Sequence, residues 1–351
     1  MLNTASFHIT NKCNGRCLHC FVEAEEKKIK EMTTQQAYKF ISEFAECTNN
    51  SGRLNIYGGE PLVRDDIFDI ITIAKDKKLK VEIATSGIVP VENIKNLIKT
   101  KPDYICCDLD GGNSESHDWL RNYPGHFMLA KDLIREFVNS GIHTSVVMVA
   151  HKRNRNEMIK FLDICQELNI SIASFLLFSP SGRGKKIKEL VIEPDEWLES
   201  HDLTYEWYYK NHPNFDVKWQ IAYKKKFHEL NHSFWDCTLN AIKKFFIRCD
   251  GNIYSCPLLA GSKYCFGNIN KEPLNEILKR REKNSFLTIR GCPGMAYHVY
   301  GDPNKCDPRN ESLGIIPTCP RETELWTCFG SVTNFQYKKQ PVNPNTLLME
   351  C

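Results

Sequence analysis

The chain has no long apolar run and almost no net charge, and both absences narrow what it can be. Nowhere does it approach the roughly 20 consecutive apolar residues that a helix needs to cross a bilayer. Its first ten residues, MLNTASFHIT, lack the basic-then-apolar order of a signal peptide. With 46 Lys and Arg against 43 Asp and Glu, the charge of +3 does not favour a nucleic-acid backbone. These absences predict a cytoplasmic protein that binds neither nucleic acid nor a membrane.

Length and composition set further limits. At roughly 100–200 residues per domain, 351 residues allow one large domain and a smaller one, and they exclude a single short peptide module. With 42% hydrophobic and 25% charged residues, the chain can bury a sizeable core and does not have the composition of a disordered protein. We therefore expect a folded chain of two unequal parts.

Cysteine is unusually abundant, with sixteen residues. In the reducing cytoplasm thiols are rarely tied up in structural disulfides, so such an excess indicates metal ligation or redox chemistry. Three cysteines fall within eight residues (Cys13, Cys17 and Cys20), and nine lie between Cys237 and Cys351. The distribution predicts two metal-binding regions.

Residues 1–178 alternate short β-branched runs with amphipathic stretches, a pattern typical of βα units around a parallel sheet. The predicted strands are Ser6–Thr10, Arg53–Tyr57, Lys80–Thr85, Tyr104–Leu109, Thr144–Val149 and Ser171–Phe178. The predicted helices are Thr33–Cys47, Asp66–Lys77, Val91–Lys99, His126–Ser140 and Asn156–Leu168. Six units are too few to close an eight-stranded barrel, so the predicted fold class is α/β, a partial (β/α)6 barrel with its functional loops at the carboxyl ends of the strands.

The repeating pattern ends at the turn-rich basic loop Ser179–Lys188. Residues 191–234 are predicted to form a mostly helical bridge that is rich in Trp and Tyr. Residues 235–351 contain many Gly, Pro and Cys residues and few periodic stretches, as expected of a small α+β domain organised by metal. The predicted organisation is thus a partial barrel over residues 1–190, the bridge, and a cysteine-rich domain over residues 235–351.

The first cysteine group has the spacing C-x3-C-x2-C, over Cys13, Cys17 and Cys20, on the loop after the first predicted strand. Three thiolates on one loop can hold three irons of a [4Fe–4S] cube and leave the fourth iron open to another ligand. A zinc site is the alternative, but zinc needs a fourth ligand in tetrahedral geometry. His19 lies next to Cys20, where it is poorly placed to complete that set. The spacing favours the cluster.

A second motif, Tyr57-Gly58-Gly59-Glu60-Pro61, follows the second predicted strand. Paired glycines let a backbone approach a ligand closely, and the Glu60 carboxylate could orient an amino group, although alone this segment is an ordinary Gly-rich turn. Together the two motifs closely resemble the radical S-adenosylmethionine (SAM) superfamily. The resemblance covers residues 1–190 and extends through Thr85-Ser86-Gly87, Asp108-Leu-Asp110-Gly111, His117-Asp118 with Arg121, and Ser179-Pro-Ser-Gly-Arg183.

The resemblance implies a SAM-binding [4Fe–4S] cluster on Cys13, Cys17 and Cys20. One electron, supplied by a donor such as flavodoxin or ferredoxin, would cleave SAM to methionine and a 5′-deoxyadenosyl radical that abstracts hydrogen from the substrate. The implied SAM-binding residues are Tyr57, Gly58, Gly59, Glu60, Pro61, Thr85, Ser86 and Asp108.

The later cysteines are similar in order to the auxiliary-cluster extensions of the superfamily, named SPASM and, in shortened form, twitch. Cys237 is followed by thirteen residues, then Gly251, four more residues and Cys256. The resemblance implies at least one auxiliary [4Fe–4S] cluster, with structural zinc as the alternative. A second auxiliary cluster is not favoured, because residues 280–291 lack the C-x2-C-x5-C run of a complete SPASM extension. The implied ligands are Cys237, Cys256, Cys292 and Cys306.

Other cysteines have a possible role in hydrogen transfer, because a thiol near a carbon radical can donate a hydrogen atom, as in epimerases that this chain resembles. Each is also a candidate spare ligand or buried small residue. The candidate donors are Cys249, Cys265, Cys319 and Cys328. Cys106 and Cys107, on the fourth predicted strand, are interpreted as core residues.

Three functions are consistent with these patterns. The auxiliary-cluster resemblance favours radical modification of a ribosomally synthesised peptide, by epimerisation, a thioether or another crosslink. The alternative is a radical oxidoreductase or epimerase of a small molecule such as an aminoglycoside or a porphyrin. A non-catalytic iron–sulfur or zinc protein is disfavoured by the GGEP segment beside an incompletely ligated cluster.

Overall fold

The structure, a computed structural model, describes residues 3–25, 28–192, 194–219, 244–282 and 335–336. Of the cysteines assigned from the sequence to an auxiliary cluster or to hydrogen donation, three lie in these ranges, namely Cys249, Cys256 and Cys265. The others lie outside the described residues: Cys237, Cys292, Cys306, Cys319 and Cys328.

Helices and strands alternate through most of the described chain. The strands are β1 (Thr4–His8), β2 (Arg53–Tyr57), β3 (Lys80–Thr85), β4 (Tyr104–Asp108), β5 (His143–Ala150), β6 (Ile172–Leu177), β7 (Asp216–Trp219), β8 (Lys244–Ile247), β9 (Asn252–Tyr254), β10 (Gly267–Asn268) and β11 (Phe335–Gln336). The helices are α1 (Thr34–Cys47), α2 (Ile67–Asp76), α3 (Val91–Thr100), α4 (Ser114–Arg121), α5 (His126–Asn139), α6 (Met158–Glu167), α7 (Pro194–Asn211) and α8 (Leu274–Glu282).

All of these strands belong to one sheet, in the order β10-β9-β8-β1-β2-β3-β4-β5-β6-β7-β11. The eight strands from β8 to β7 in this order are parallel, whereas β9, β10 and β11 run antiparallel to their neighbours. The predicted partial barrel of six βα units is confirmed, and the sheet continues beyond it at both ends. Among the helices of the described ranges, none has the length and apolarity needed to cross a bilayer.

Successive side chains of a strand point to opposite faces, and this alternation separates the core from the barrel interior. On β2 and β3, the outward-facing residues Leu54, Ile56, Val81 and Ile83 are completely or almost completely buried in the hydrophobic core under the helices. The alternate residues of β2 and β3 face an internal cavity, together with the residues that pair with them on β1 and β4. These cavity-facing residues are Ser6, Asn55, Glu82, Ala84 and Cys106. The barrel interior is therefore partly polar.

Charges on distant strands converge on Glu82 and show how the sheet curves. Burial raises the pKa of Glu82, and the positive charges of Arg53, Lys218 and Lys244 oppose that rise. Lys218 lies on β7 and Lys244 on β8, the two outermost parallel strands. Because both act on a side chain of β3, the sheet curls so that its outer parallel strands face β3 across the interior.

Helix α1 packs aromatic side chains against the sheet. Its first turn is closed by a capping box between Thr33 and Gln36. Phe40 is fully buried, with its ring 5.1 Å from that of Phe7 on β1 and 6.2 Å from that of Phe245 on β8. One side chain thus packs against both members of the β1–β8 pair.

We expect Phe40→Ala to lower the free energy of unfolding by about 3–5 kcal/mol, because it removes a fully buried ring and leaves a cavity. The measurement is the shift of the thermal unfolding transition of the full chain. Leu129→Ala on α5, where the side chain is 40% exposed, is the matched control and should change stability by no more than about 0.5 kcal/mol. Equal shifts for the two variants would contradict this packing.

Candidate cofactor site

A cavity of about 330 Å³ opens at the carboxyl ends of the parallel strands. Most of the residues assigned from the sequence to the cluster and to SAM line this one cavity: Cys13, Cys17, Cys20, Tyr57, Gly58, Gly59, Thr85, Ser86 and Asp108. Glu60 and Pro61 are buried beside the wall rather than on it. Loops that follow four different strands therefore meet where the sequence predicts a cofactor.

The cysteine loop places its thiols around Gly15. The sulfurs of Cys13 and Cys17 each lie 3.6 Å from the point that a Cβ on Gly15 would occupy. Burial raises the pKa of the Cys13 thiol to about 11 and also raises that of Cys17, where the Arg121 charge opposes the rise. Both are neutral thiols at neutral pH, so metal binding at this loop must release protons.

The donor set fits a four-iron cluster better than a single metal ion. Within the ranges that the structure describes, no three His, Cys, Asp or Glu side chains are close enough together to hold one metal ion. A [4Fe–4S] cube does not need such convergence, because each cysteine binds a different iron. Three thiols on one loop, all facing one cavity, supply that arrangement.

The two glycines of the second motif allow two backbones to meet. The Gly59 amide donates to the Thr10 carbonyl and the Glu60 amide to the Lys12 carbonyl, both at 2.8 Å. A Cβ on Gly59 would lie 2.0 Å from the Lys12 oxygen, and one on Gly58 would lie 2.5 Å from the Thr10 oxygen. The sequence predicts that these glycines let the backbone approach a ligand closely. In the structure their close approach is to the cysteine loop itself.

The basic loop after β6 also contacts the cysteine loop, through hydrogen bonds to its carbonyl groups. Arg183 donates from its backbone to the Cys20 carbonyl at 3.0 Å, and from Nε to the Cys17 carbonyl at 2.8 Å. Gly182 has φ of +54°, and a Cβ there would lie 2.4 Å from the Cys20 oxygen. The sequence predicts the loop Ser179–Lys188 from its turn residues, but not its contact with the cysteine loop.

The Glu60 carboxylate is fully engaged by its own chain. One oxygen accepts from the Thr85 hydroxyl at 2.8 Å and from the Leu62 amide at 3.2 Å. The other accepts from the amide and the hydroxyl of Ser86, both at 2.8 Å. Burial raises the pKa of Glu60, and these four hydrogen bonds oppose the rise. Glu60 thus ties the end of β2 to the end of β3.

Arg121 is the buried cation of the cavity wall. It pairs with Asp110 at 2.6 Å and with Asp108 at 3.0 Å, and its Nη1 lies 3.8 Å from the Cys17 sulfur. Burial works against the guanidinium charge, but the two aspartates outweigh it and raise the pKa of Arg121 well above its ordinary value. A permanent positive charge therefore lies beside the cysteine loop.

Five other described cysteines were assigned roles from the sequence. Cys107 is a core residue, as predicted, but the same prediction for Cys106 is wrong, because alternation along β4 turns Cys106 onto the cavity wall. Cys249 and Cys265 do not line this cavity. Cys256 is buried in an apolar cluster with Tyr254 and Phe246, against which Cys265 and Tyr57 pack. The β8–β9 hairpin thus carries a predicted auxiliary ligand to the barrel rim.

Two sequence models of known families match the chain. The model of the radical SAM superfamily matches residues 7–165. The SPASM model, described as an iron–sulfur cluster-binding domain, matches residues 237–307.

Several curated proteins are similar in sequence. An AdoMet-dependent heme synthase of Methanosarcina barkeri is 27% identical over 301 residues, which covers 79% of this chain and 82% of the relative. The subtilosin biosynthesis protein AlbA of Bacillus subtilis is 27% identical over 56% of this chain, and the mycofactocin maturase MftC of Mycolicibacterium smegmatis is 26% identical over 52%. The chain spans 43% of AlbA and 46% of MftC.

Solved structures share the fold. Streptococcus suis SuiB bound to S-adenosylmethionine superposes with a TM-score of 0.67 at 17% identity, over 79% of this chain and 65% of SuiB. The anSMEcpe protein with bound AdoMet gives 0.64 at 16% identity, over 80% and 81% of the two chains. The likeness to these structures concerns the fold, and the two family matches show that the chain contains a radical SAM superfamily domain over residues 7–165 and a SPASM iron–sulfur cluster-binding domain over residues 237–307.

Proposed function

We propose that this protein is a radical SAM enzyme that cleaves SAM reductively and abstracts a hydrogen atom from a ribosomally synthesised peptide. The observation that carries the proposal is the convergence of the cysteine loop with the loops after β2, β3 and β4 on one cavity. When bound, the cluster and SAM supply a 5′-deoxyadenosyl radical. The chain itself supplies ligands, orientation and exclusion of water.

Cys13, Cys17 and Cys20 would hold the SAM-binding [4Fe–4S] cluster and leave one iron open. The segment from Tyr57 to Pro61 would contact the methionyl amine of SAM. Thr85, Ser86 and Asp108 would contact its ribose or carboxylate. The Glu60 carboxylate already accepts four hydrogen bonds from its own chain. We therefore propose that Glu60 fixes the conformation of this segment and does not itself bind the ligand. Arg121 would offset the negative charge that cluster thiolates bring to the cavity.

At least one auxiliary [4Fe–4S] cluster is part of the proposal, with Cys237, Cys256, Cys292 and Cys306 as its ligands. The SPASM match over residues 237–307 supports it, since it contains all four cysteines. We propose the same division of the chain as before, a barrel over residues 1–190, a bridge over 191–234 and an auxiliary domain over 235–351. Two further assignments stay predictions. The electron donor is flavodoxin or ferredoxin, and the candidate hydrogen donors are Cys249, Cys265, Cys319 and Cys328.

The peptide substrate is supported by relatives and by fold. AlbA is a bacteriocin biosynthesis protein and MftC a mycofactocin maturase, and SuiB was solved bound to its precursor peptide SuiA. A small molecule of the porphyrin class is the second candidate. It is favoured by the heme synthase relative, whose match covers 79% of this chain, more than AlbA or MftC covers.

Replacing any one of Cys13, Cys17 or Cys20 by alanine should abolish release of 5′-deoxyadenosine from SAM, because a cluster ligand is lost. The measurement is chromatography of anaerobic reactions with a chemical reductant, on protein loaded with iron and sulfide. Cys47→Ala, at a half-buried cysteine at the end of α1, is the matched control and should retain cleavage. Undiminished cleavage in any of the three variants would refute this ligand set.

Cys237→Ala and Cys256→Ala should retain part of the SAM cleavage but form no product, because the first cluster is intact and the auxiliary one is not. The iron content per chain should fall by the same amount in both variants. Full turnover of substrate by either variant would show that the auxiliary site is not essential.

The two substrate classes can be separated in one anaerobic experiment in D2O. Peptides encoded by short reading frames beside the gene and a set of porphyrins are incubated with the reduced enzyme and SAM, and product masses are measured. We expect a peptide product, with a gain of one deuterium for epimerisation or a loss of two hydrogens for a crosslink. Conversion of a porphyrin without conversion of any peptide would establish the second candidate instead.

A further inference from the structure

Two buried histidines lie behind the cavity wall and have no part in the function proposed above. His117, on α4, and His126, the first residue of α5, are both completely buried. The Nε2 atom of His117 lies 2.7 Å from the Nδ1 atom of His126. The ring planes differ by 4° and the ring centroids are 4.9 Å apart, so the hydrogen bond lies in the plane of both rings.

The backbone groups at the two ends of this pair assign its protons. The Asp110 amide can only donate, and it lies 2.8 Å from the Nδ1 atom of His117. The proton of neutral His117 is therefore on Nε2, and it is donated to Nδ1 of His126. The proton of His126 is in turn on its own Nε2, which donates to the Ser86 carbonyl at 2.9 Å. The hydrogen-bond chain has one possible direction, from Asp110 to Ser86.

An additional proton on either ring would break this series of hydrogen bonds, because each Nδ1 atom already accepts a hydrogen bond. A protonated Nδ1 would face another N–H group. The surroundings oppose such a proton. Burial, the Arg121 charge and the neighbouring rings of His126 and His19 lower the pKa of His117 to about 2. Burial and Arg121 also lower the pKa of His126, against the Ser86 carbonyl and the charges of Asp108 and Asp110. These surroundings favour the neutral form of both rings.

Each end of this series of hydrogen bonds is connected to a residue of the cavity. At one end, the amide and hydroxyl of Ser86 hold the Glu60 carboxylate. At the other, the Asp110 carboxylate pairs with Arg121 and also accepts from the Val149 amide at 2.8 Å. The two histidines therefore join the rim formed after β2 and β3 to the rim formed after β4 and β5.

We propose that His117 and His126 are positioning residues of the SAM pocket, and that they hold Ser86, and through it Glu60, in place relative to Asp110 and Arg121. The proposal rests on the proposed function, because it takes this cavity to be where SAM binds. It predicts that the contact of His126 with the Ser86 carbonyl matters for SAM affinity, beyond the contribution of the histidine ring to packing.

Two substitutions of His126 separate positioning from packing. In His126→Gln the side-chain amide can replace Nε2 and still donate to Ser86. In His126→Asn the shorter amide can replace Nδ1 and accept from His117, but it does not reach Ser86. Both remove the ring, so both should lower the unfolding temperature. SAM affinity is measured by equilibrium dialysis on cluster-loaded full chain, together with KM and kcat for SAM cleavage and the iron content.

We expect His126→Asn to weaken SAM binding and to raise KM by about tenfold, the loss typical of one buried hydrogen bond, with a smaller effect on kcat. His126→Gln should stay within about threefold of the unmodified chain, since it keeps the donor. Equal losses of affinity in the two variants, or no loss in either, would overturn the proposal and leave the pair a packing feature.

A second measurement does not depend on SAM. Long-range proton–nitrogen spectra of the 15N-labelled full chain, before iron loading, report which nitrogen of each of the eleven histidines carries the proton. Signals that disappear when His117 or His126 is substituted should show protonated Nε2. Protonation at Nδ1 would overturn the proposal. If the spectra agree but the unmodified chain fails to bind SAM, the proposed function has failed, and the positioning role fails with it.

Discussion

The site depends on the close contact of the cysteine loop with two glycine segments. Gly59 approaches the loop so closely that any side chain there would occupy the space of the Lys12 carbonyl, and Gly182 approaches Cys20 in the same way. These contacts are made by backbone atoms, whose positions are set by the ends of β2 and β6. The position of three thiols is thereby fixed by the sheet, although a loop of this length has no regular structure of its own.

Around this contact the rim is held by buried polar groups whose hydrogen bonds have defined directions. Glu60 accepts four hydrogen bonds, Arg121 faces two aspartates, and the histidine pair joins their surroundings. Burying such groups is costly unless their hydrogen bonds are made, but once made they allow few alternative arrangements. A rim of this kind is organised before any ligand arrives, so binding need not supply the free energy to order it.

The barrel and the cysteine site could be predicted because their signals are local. Alternating β-branched runs gave the six strands, with β1 displaced by two residues from Ser6–Thr10 to Thr4–His8. Helix α4 was missed because Ser114–Arg121 is short and mostly polar. Strand β7 was missed because it contains only four residues, within a segment predicted to be mostly helical. Spacing along the chain does not reveal contacts that tertiary structure brings together. Three features were therefore not predicted: the orientation of Cys106 toward the cavity, the four hydrogen bonds to Glu60 and the histidine pair.

The pairing of β1 with β8 has a consequence for how the chain folds. Thr4 lies beside Lys244 in the sheet, so one neighbour of the first strand is synthesised only after most of the barrel. Contacts between such distant parts of a chain form slowly, because a long loop must close before they stabilise the fold. While the ribosome is still making the intervening segments, β1 has β2 on one side and an open edge on the other. The loop that carries Cys13 follows directly from that strand, and its surroundings are therefore completed only after β8 has been synthesised.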